Sequence, residues 1–402
     1  MIYVPIPVER LELGKPLPVD VWAPDGRLLL RKGQPIRSEQ DREMLQAHQA
    51  GMTQGDAQAW HKSYERLIQA LQVGGATPDV LAHAALPAEI LETDYEPDHE
   101  VTGGWIDLQE LLSGLLHQGE GAPQGLARLA GIERRALQLL QDDPDQGLFI
   151  LFQALDDPAQ GYCATHALLS AVTCGLTANK LGMADSARRT LFRAALLMNI
   201  GMAQDQDRLA TQSAALIEPQ RRLIRDHAHR SCEILQQLGF LDAELLDLVR
   251  WHHELDKSDS LAPNWLSRRL LRMADSFVAK MAPRKTRLAM SALSAARSLV
   301  IDAPEDTAML GSAMATVIGF YPPGSYVQLL NGEKAVVAAR GAHANQPQVV
   351  SIVNAGGMPL SPYLYRDTAD PKFAVRAPVN AEKIKVTVSL DKVMKARQEH
   401  GT

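Results

Sequence analysis

Five side chains of the kind that bind metal ions stand in order along the middle of the chain: His166, His227, His252, His253 and Asp275. Imidazole nitrogen and carboxylate oxygen are ligands that divalent iron, manganese and zinc accept in proteins. Taken singly, a helical histidine is more often a hydrogen-bonded core or boundary residue, and an aspartate at helical spacing from Arg268 or Arg272 is more often an ion pair. The ordered set nevertheless predicts a metal site built from several helices.

A gap lies at the centre of this set, in the run Leu196-Leu197-Met198-Asn199-Ile200-Gly201-Met202. A two-metal hydrolase needs a carboxylate that bridges its ions. Asn199 offers only a neutral amide, and the Met198 thioether is a soft ligand suited to Cu(I). Because Met198 continues an apolar stripe at helical spacing, with Leu191, Ala194 and Ala195, it is predicted to lie in the core.

The order and neighbourhoods of these residues resemble the HD-GYP family, the metal-dependent cyclic-di-GMP phosphodiesterases within the HD phosphohydrolase group. The likeness covers most of the chain and places the five ligand types at matching positions. The family's His-Asp pair falls at Met198-Asn199, and the lysine that follows it falls at Met202. Its Gly-Tyr-Pro signature falls at Ser260-Leu261-Ala262. The resemblance therefore implies a degenerate member with no assigned catalytic residue.

Three functions stay open on this basis. The first is a signalling or regulatory protein that binds a cyclic dinucleotide or a signalling protein with little or no hydrolysis. The second is a phosphodiesterase with an altered site, in which one Fe, Mn or Zn ion is held by His227, His252 and His253, with help from Asp275 or His166. The third is an adaptor that binds no metal.

The doublet His252-His253 constrains the single-ion alternative. Adjacent residues are about 100° apart on a helix, so only the local winding of this segment could aim both rings at one ion. His229 lies two residues from His227 and is predicted to point elsewhere, at the surface.

Arginines and lysines also cluster near the predicted cleft, where they could receive a phosphodiester through bidentate hydrogen bonds. Since they alternate with apolar residues at helical spacing, they are interpreted as the solvated faces of packed helices. They are Arg221, Arg222, Arg225, Arg230, Arg268, Arg269, Arg272, Arg284, Lys285 and Arg287.

Composition excludes several classes of protein. The chain has 402 residues, a formal charge of -6 and a pI near 6.1, which argues against a partner that is a nucleic-acid polymer. Its three cysteines, Cys163, Cys174 and Cys232, are too scattered for a disulfide frame or a zinc knuckle. No apolar stretch is long enough to span a membrane, and the first residues lack a signal peptide pattern. A cytoplasmic location is expected.

The elements that must position the five ligands are mainly helical. The fold class predicted is an HD-domain-like helical bundle with small β-rich units at both ends. The expected organisation is a β-rich unit over residues 1–60, a linker or mixed helical segment over 61–107, the helical domain over 108–320 and a β-rich unit over 321–402. An acidic run at 92–100 is expected in the linker.

Local signals place several elements. Strands are predicted around Val21 and at Leu28–Leu30, flanking the turn 24–26, and Ser38 is predicted to cap a helix that runs to about Ala50. A further helical piece is expected at 64–71. In the tail, Asn331-Gly332 predicts a hairpin. Alternating apolar residues from Ile384 to Leu390 predict another strand.

Overall fold

The computed structural model describes residues 3–24, 26–77, 80–81, 84–87, 89–90, 101–157, 161–254, 257–283, 289–301 and 308–400. They form two compact units, one of Met1–Glu100 with Pro123–Arg128 and the other of Val101–Ala122 with Leu129–Thr402. The predicted acidic run 92–100, the turn residue Asp25 and the basic residues at 284–287 lie outside the described residues. The mainly helical fold class with β-rich ends is confirmed. The four predicted domain boundaries stay predictions.

The first unit contains a four-stranded antiparallel sheet. Its strands are β1 (Tyr3–Pro5), β2 (Val21–Trp22), β3 (Leu28–Leu30) and β4 (Gly51–Thr53), in the order β1-β4-β2-β3. The strands predicted around Val21 and at Leu28–Leu30 are confirmed, and they pair antiparallel. Strand β4 was not predicted, because three residues are too few to show an alternating pattern.

Two helices accompany this sheet, α1 (Glu39–Ala47) and α2 (Gln54–Val73). The predicted cap of α1 is confirmed, since the Ser38 hydroxyl accepts a hydrogen bond from the backbone N–H of Asp41 at 3.1 Å. The helical piece expected at 64–71 is part of the longer α2. Apolar side chains that include Val21, Leu45 and Trp60 form the core of this unit.

Most of the second unit is helical. The helices that lie wholly or mostly in it are α3 (Trp105–Gln118), α4 (Gly125–Asp142), α5 (Pro144–Leu155), α6 (Tyr162–Lys180), α7 (Asp185–Leu197), α8 (Ala203–Thr211), α9 (Glu218–Gln237), α10 (Ala243–Trp251), α11 (Trp265–Met281), α12 (Ala292–Ile301) and α13 (Ala308–Ile318). None of the helices in the described part of the chain has the length and apolar character needed to cross a lipid bilayer.

Helix α6 lies at the centre of this bundle. It contacts α3, α5, α7, α8, α11 and α13, and nearly all of its residues are buried. A helix that is surrounded on every side needs apolar or small side chains all round, which the run Ala164 to Cys174 supplies. A polar side chain on α6 is therefore held inside the protein, where it needs a partner.

The second unit ends in a five-stranded antiparallel sheet. Its strands are β5 (Tyr326–Leu329), β6 (Lys334–Ala339), β7 (Gln348–Val353), β8 (Pro359–Asp367) and β9 (Val375–Val379), in the order β8-β7-β6-β5-β9. The predicted hairpin at Asn331-Gly332 joins β5 to β6 and is confirmed. Gly332 has a φ of +88°, which only glycine adopts readily.

The strand predicted from Ile384 to Leu390 is wrong. Residues 384–389 belong to no strand, and Leu390 begins a helix, α14 (Leu390–Gln398). The alternating side chains Ile384, Val386 and Val388 still pack against the apolar cluster of the sheet. An alternating pattern reports one buried side of an extended chain, and it does not require a hydrogen-bonded neighbour.

One ion pair crosses this sheet, from Glu333 just before β6 to Arg366 on β8, with β7 between them. The Glu333 carboxylate accepts two hydrogen bonds of 3.1 Å from the Arg366 guanidinium and one of 2.6 Å from the Ser351 hydroxyl. Burial alone raises the pKa of Glu333, but these hydrogen bonds outweigh it and lower the pKa to about 2.

Glu333→Gln is expected to lower the free energy of unfolding by about 2 kcal/mol at pH 7. An acid whose pKa is depressed by folding stabilises the protein above its unfolded pKa near 4.5, and this contribution is lost as the pH falls towards 2. Urea unfolding of both proteins from pH 7 to pH 2.5 measures the difference. Glu399→Gln, which removes an exposed pair with Lys395, is the control and should change stability little. A pH-independent difference at Glu333 would contradict the assignment.

Candidate metal centre

His166 lies inside the bundle because α6 carries it there. Its Nε2 is 2.8 Å from Oδ1 of Asp275 on the adjacent α11, and its Nδ1 is 3.2 Å from the hydroxyl oxygen of Tyr162, one turn earlier. A carboxylate can only accept, so Nε2 donates to Asp275, and Nδ1 of the neutral ring accepts from Tyr162. Two predicted ligands therefore bind each other. Tyr162 was not identified from the sequence, although its spacing of four residues from His166 places both on one helix face.

Asp275 is held in its ionised form. Burial raises the pKa of this carboxyl, but the hydrogen bond from His166 and the nearby imidazoles of His252 and His253 outweigh burial and hold the pKa below its usual range. The ion pair with Arg268 or Arg272 that helical spacing suggested is not formed by Asp275; its salt bridge is to His166.

His227 and His252 face each other across α9 and the end of α10. Nδ1 of His227 is 2.7 Å from the backbone oxygen of Ile224, and Nδ1 of His252 is 2.7 Å from that of Val249. A carbonyl can only accept, so Nδ1 carries the proton in each neutral ring and Nε2 presents a lone pair. The two Nε2 atoms are 3.3 Å apart. Two lone pairs at that distance repel unless a cation lies between them.

His253 completes this group. Helix α10 ends at Trp251; His252, its C-cap, keeps right-handed helical backbone angles, with φ -63° and ψ -18°, and His253 follows in a bend, so that both rings lie near His227. The ring centroids of His227 and His253 are 5.1 Å apart, and those of His252 and His253 are 4.0 Å apart. One ligand atom from each of the three histidines lies within 4.8 Å of the others, with His253 at the exposed side. The winding on which the single-ion alternative depended is present.

The three imidazoles are neutral at pH 7. Burial, followed by repulsion between the protonated forms of His252 and His253, lowers the pKa of His252 to about 3. Burial also lowers the pKa of His227 and of His253. Metal ligation requires unprotonated imidazole, and hydrogen bonds from Nδ1 to carbonyl oxygens are the usual way of orienting a histidine ligand. The group His227–His252–His253 thus fits a divalent ion, and His166–Asp275 forms a separate pair beside it.

The positions that interrupt the sequence pattern lie against α9. The prediction that Met198 belongs to the core is confirmed, because its side chain is fully buried. Asn199 is 4% exposed, and neither the oxygen nor the nitrogen of its side-chain amide has a hydrogen-bond partner among the described residues. A buried amide without partners is costly, at about 1–3 kcal/mol. No carboxylate stands at either position.

Gly201 brings this segment close to the turn of α9 that carries His227. A Cβ at position 201 would lie 2.6 Å from the backbone oxygen of His227 and 2.6 Å from the backbone nitrogen of Ser231. The Ser231 hydroxyl accepts a hydrogen bond from Gly201 N–H at 2.9 Å and donates one to the carbonyl of Met198 at 2.8 Å. Only glycine permits this approach, and it fixes positions 198–199 beside His227.

The segment in place of Gly-Tyr-Pro is anchored by a buried network. Asp247, on α10, accepts hydrogen bonds from Leu261 N–H at 2.7 Å, from the Asn264 side-chain amide at 2.9 Å and from the Arg268 guanidinium at 2.7 Å. Arg268 also donates to the carbonyl of Leu261 at 2.7 Å. These contacts hold residues 257–264 against α10 and α11.

The arginines of α11 correct one expectation. Arg268 and Arg269 were interpreted as part of a solvated face, but both are buried. Arg268 pairs with Asp247, and the Arg269 guanidinium lies 4.1 Å from the ring centroid of Trp265. Arg272 donates to the carbonyl of His253 at 2.9 Å. Arg272 therefore holds the backbone at His253, while Arg268 and Arg269 pack against neighbouring residues of α10 and α11.

Comparison with known proteins finds a family match for part of the chain. Residues 153–305, which contain all five predicted ligands, match the model of a family described as HD domain. Among solved structures, the chain is similar to "Bd1817, a HDG"Y"P protein from Bdellovibrio bacteriovorus", with 14% sequence identity and a TM-score of 0.41; the similarity covers 78% of this chain and 98% of that chain. No curated protein matches the chain in sequence.

Proposed function

We propose that the chain is a degenerate, regulatory member of the HD-domain family, whose model its residues 153–305 match. In this proposal one divalent ion, Fe, Mn or Zn, is bound by His227, His252 and His253. The protein then binds a cyclic dinucleotide or a signalling protein and hydrolyses phosphodiesters little or not at all.

One observation carries this proposal. Where the resemblance places a His-Asp pair, the chain has a fully buried methionine and a neutral amide, Met198 and Asn199. Two divalent ions held side by side need a carboxylate between them to offset their charge, and the attacking and leaving oxygens of a phosphodiester are then clamped by both ions. Neither replacement supplies that charge.

The three histidines support the binding of a single ion. The Nε2 lone pairs of His227 and His252 and one ring nitrogen of His253 suit a divalent cation, and three protein ligands leave a position for water or a ligand oxygen. An ion at this place would supply a Lewis acid and a bound water of lowered pKa. The residues themselves orient the rings through Ile224 and Val249, and His166 holds the Asp275 carboxylate beside them.

A second candidate function is a metal-dependent cyclic-di-GMP phosphodiesterase with an altered site. It is favoured by the same opposed nitrogens, because a single ion with an open position can activate water. Turnover by the unmodified chain distinguishes it from the regulatory proposal.

His252→Ala is expected to lower bound metal by about one ion per chain relative to the unmodified protein, since it removes one of three ligands. His229→Ala is the matched control: this exposed histidine pairs with Glu233, and its removal should leave metal content unchanged. Elemental analysis of purified protein measures both, and assays with cyclic-di-GMP and a generic phosphodiester measure binding and hydrolysis.

Two outcomes would contradict the regulatory proposal. Equal metal content in both variants would show that the three histidines do not bind the ion. Rapid hydrolysis by the unmodified chain that His252→Ala abolishes would establish the phosphodiesterase instead. Metal binding with no measurable turnover is the result we expect.

A further inference from the structure

A second group of metal-ligating side chains lies where three helices meet. His117 is in the last turn of α3, Cys163 is in the first turn of α6, and Asp207 is on α8. One ligand atom from each lies within 4.8 Å of the others. Up to 90 residues separate these positions, as between His117 and Asp207. No local motif marks them in the sequence.

The distances within this group suit a small ion. Cys163 Sγ is 3.6 Å from His117 Nε2. A tetrahedral ion at about 2.3 Å from sulfur and about 2.1 Å from nitrogen separates these two atoms by about 3.6 Å. His117 Nε2 is 2.7 Å from Asp207 Oδ2, which is a hydrogen bond. Ligation would replace this bond and move the carboxylate oxygen outward by about 0.7 Å.

The same residue types occur in nucleophilic sites, but this arrangement does not suit one. In such a site the histidine uses one ring nitrogen for the nucleophile and the other for the orienting carboxylate. Here the same atom, His117 Nε2, faces both Cys163 and Asp207.

Neighbouring contacts orient the ligand atoms towards one point. Oδ1 of Asp207 accepts a hydrogen bond of 2.6 Å from Cys163 N–H, which leaves Oδ2 turned to the histidine. The Gln204 side chain, one turn before Asp207 on α8, donates to the carbonyl of His117 at 2.8 Å. The ends of α3, α6 and α8 are thereby tied together around the three side chains.

We propose that His117 Nε2, Cys163 Sγ and Asp207 Oδ2 bind one zinc-class divalent ion, at a site distinct from the three histidines. Sulfur selects zinc over magnesium, calcium or manganese, and imidazole and carboxylate are common zinc ligands. The fourth position is open to water, because the side chains of His117 and Asp207 are 26% and 22% exposed while Cys163 is buried. Binding releases the thiol proton to solvent, moves the ring proton of His117 from Nε2 to Nδ1, and requires no oxidant or reductant.

This proposal does not depend on the function proposed above, and cobalt separates the two sites. Cobalt(II) replaces zinc in such sites, and a thiolate ligand gives it an intense charge-transfer band in the near ultraviolet that histidine and carboxylate ligands do not give. We expect the metal-stripped full chain to show this band when titrated with Co²⁺. Cys163→Ser should abolish it.

Two controls match that variant. Cys232→Ser alters another buried cysteine, whose Sγ donates to the carbonyl of Leu246 at 3.4 Å, and should keep the band. His252→Ala should also keep it, since that histidine belongs to the other group.

The proposal is overturned if the unmodified chain shows no thiolate band, or if the band persists in Cys163→Ser. Circular dichroism checks that Cys163→Ser is folded. Should it not fold, His117→Gln at the partly exposed end of α3 provides the test: the Co²⁺ affinity measured from the band should fall tenfold or more, and an unchanged affinity would refute the site.

Discussion

Met198→His combined with Asn199→Asp is expected to add about one metal ion per chain and to raise phosphodiester hydrolysis about 10²-fold or more. The double change supplies an imidazole and a bridging carboxylate beside His227, where Gly201 holds the backbone against α9. The side chain of Asn199 makes no hydrogen bond among the described residues, so its replacement by aspartate breaks none. The imidazole ligands are neutral, so the negative charge of the new carboxylate offsets part of the repulsion between two bound cations.

Elemental analysis and hydrolysis of cyclic-di-GMP measure this effect, with circular dichroism to check folding. The single variants are the controls: Met198→His adds no charge, and Asn199→Asp adds no second imidazole, so each should recover less than the pair. Unchanged metal content in a folded double variant would contradict the assignment of the whole site. Metal uptake without turnover would locate the remaining deficit in the segment Ser260-Leu261-Ala262.

Arg268→Ala is expected to destabilise the protein by about 3–5 kcal/mol, because it leaves the buried Asp247 carboxylate without its counter-charge. The ion pair is 2.7 Å long, and both side chains are almost fully buried, at 3% and 5% exposure. Urea unfolding measures the loss. Since Arg268 also holds the carbonyl of Leu261, hydrogen exchange should quicken in residues 257–264.

The control for this variant is Arg189→Ala, which removes an exposed pair with Asp185 and should cost less than about 1 kcal/mol. A loss at Arg268 no larger than at Arg189 would show that the buried network does not stabilise the fold. A large loss without faster exchange at 257–264 would show that the network supports the helices alone.

The sequence predicted the helical bundle because its helices are long and carry clear periodic stripes. The stripe through Leu191, Ala194 and Met198 is buried as expected. Shorter elements were missed for a physical reason: β4 has three residues, and α14 follows an alternating segment that suggested a strand up to Leu390. The periodicity of apolar residues indicates which side of a chain is buried, whereas tertiary packing determines which element buries it.

The sequence predicted the residue types of the candidate site better than it predicted their geometry. The order of His227, His252 and His253 indicated a common site, and the structure brings these three together. It could not indicate that His166 and Asp275 bind each other, or that two backbone carbonyls select the ring nitrogen that faces inward. Such contacts join residues from different helices, or depend on exact ring rotation, so spacing along the chain does not encode them.

The contact at Gly201 limits how this protein can change. Its α-carbon lies against the main chain of α9, so the separation there is set by two backbones and cannot be adjusted by exchanging side chains. Mutational drift can therefore alter the chemistry at positions 198 and 199 while their location stays the same. A protein without the bridging carboxylate could regain it through substitutions at those two positions, provided that residue 201 is still glycine.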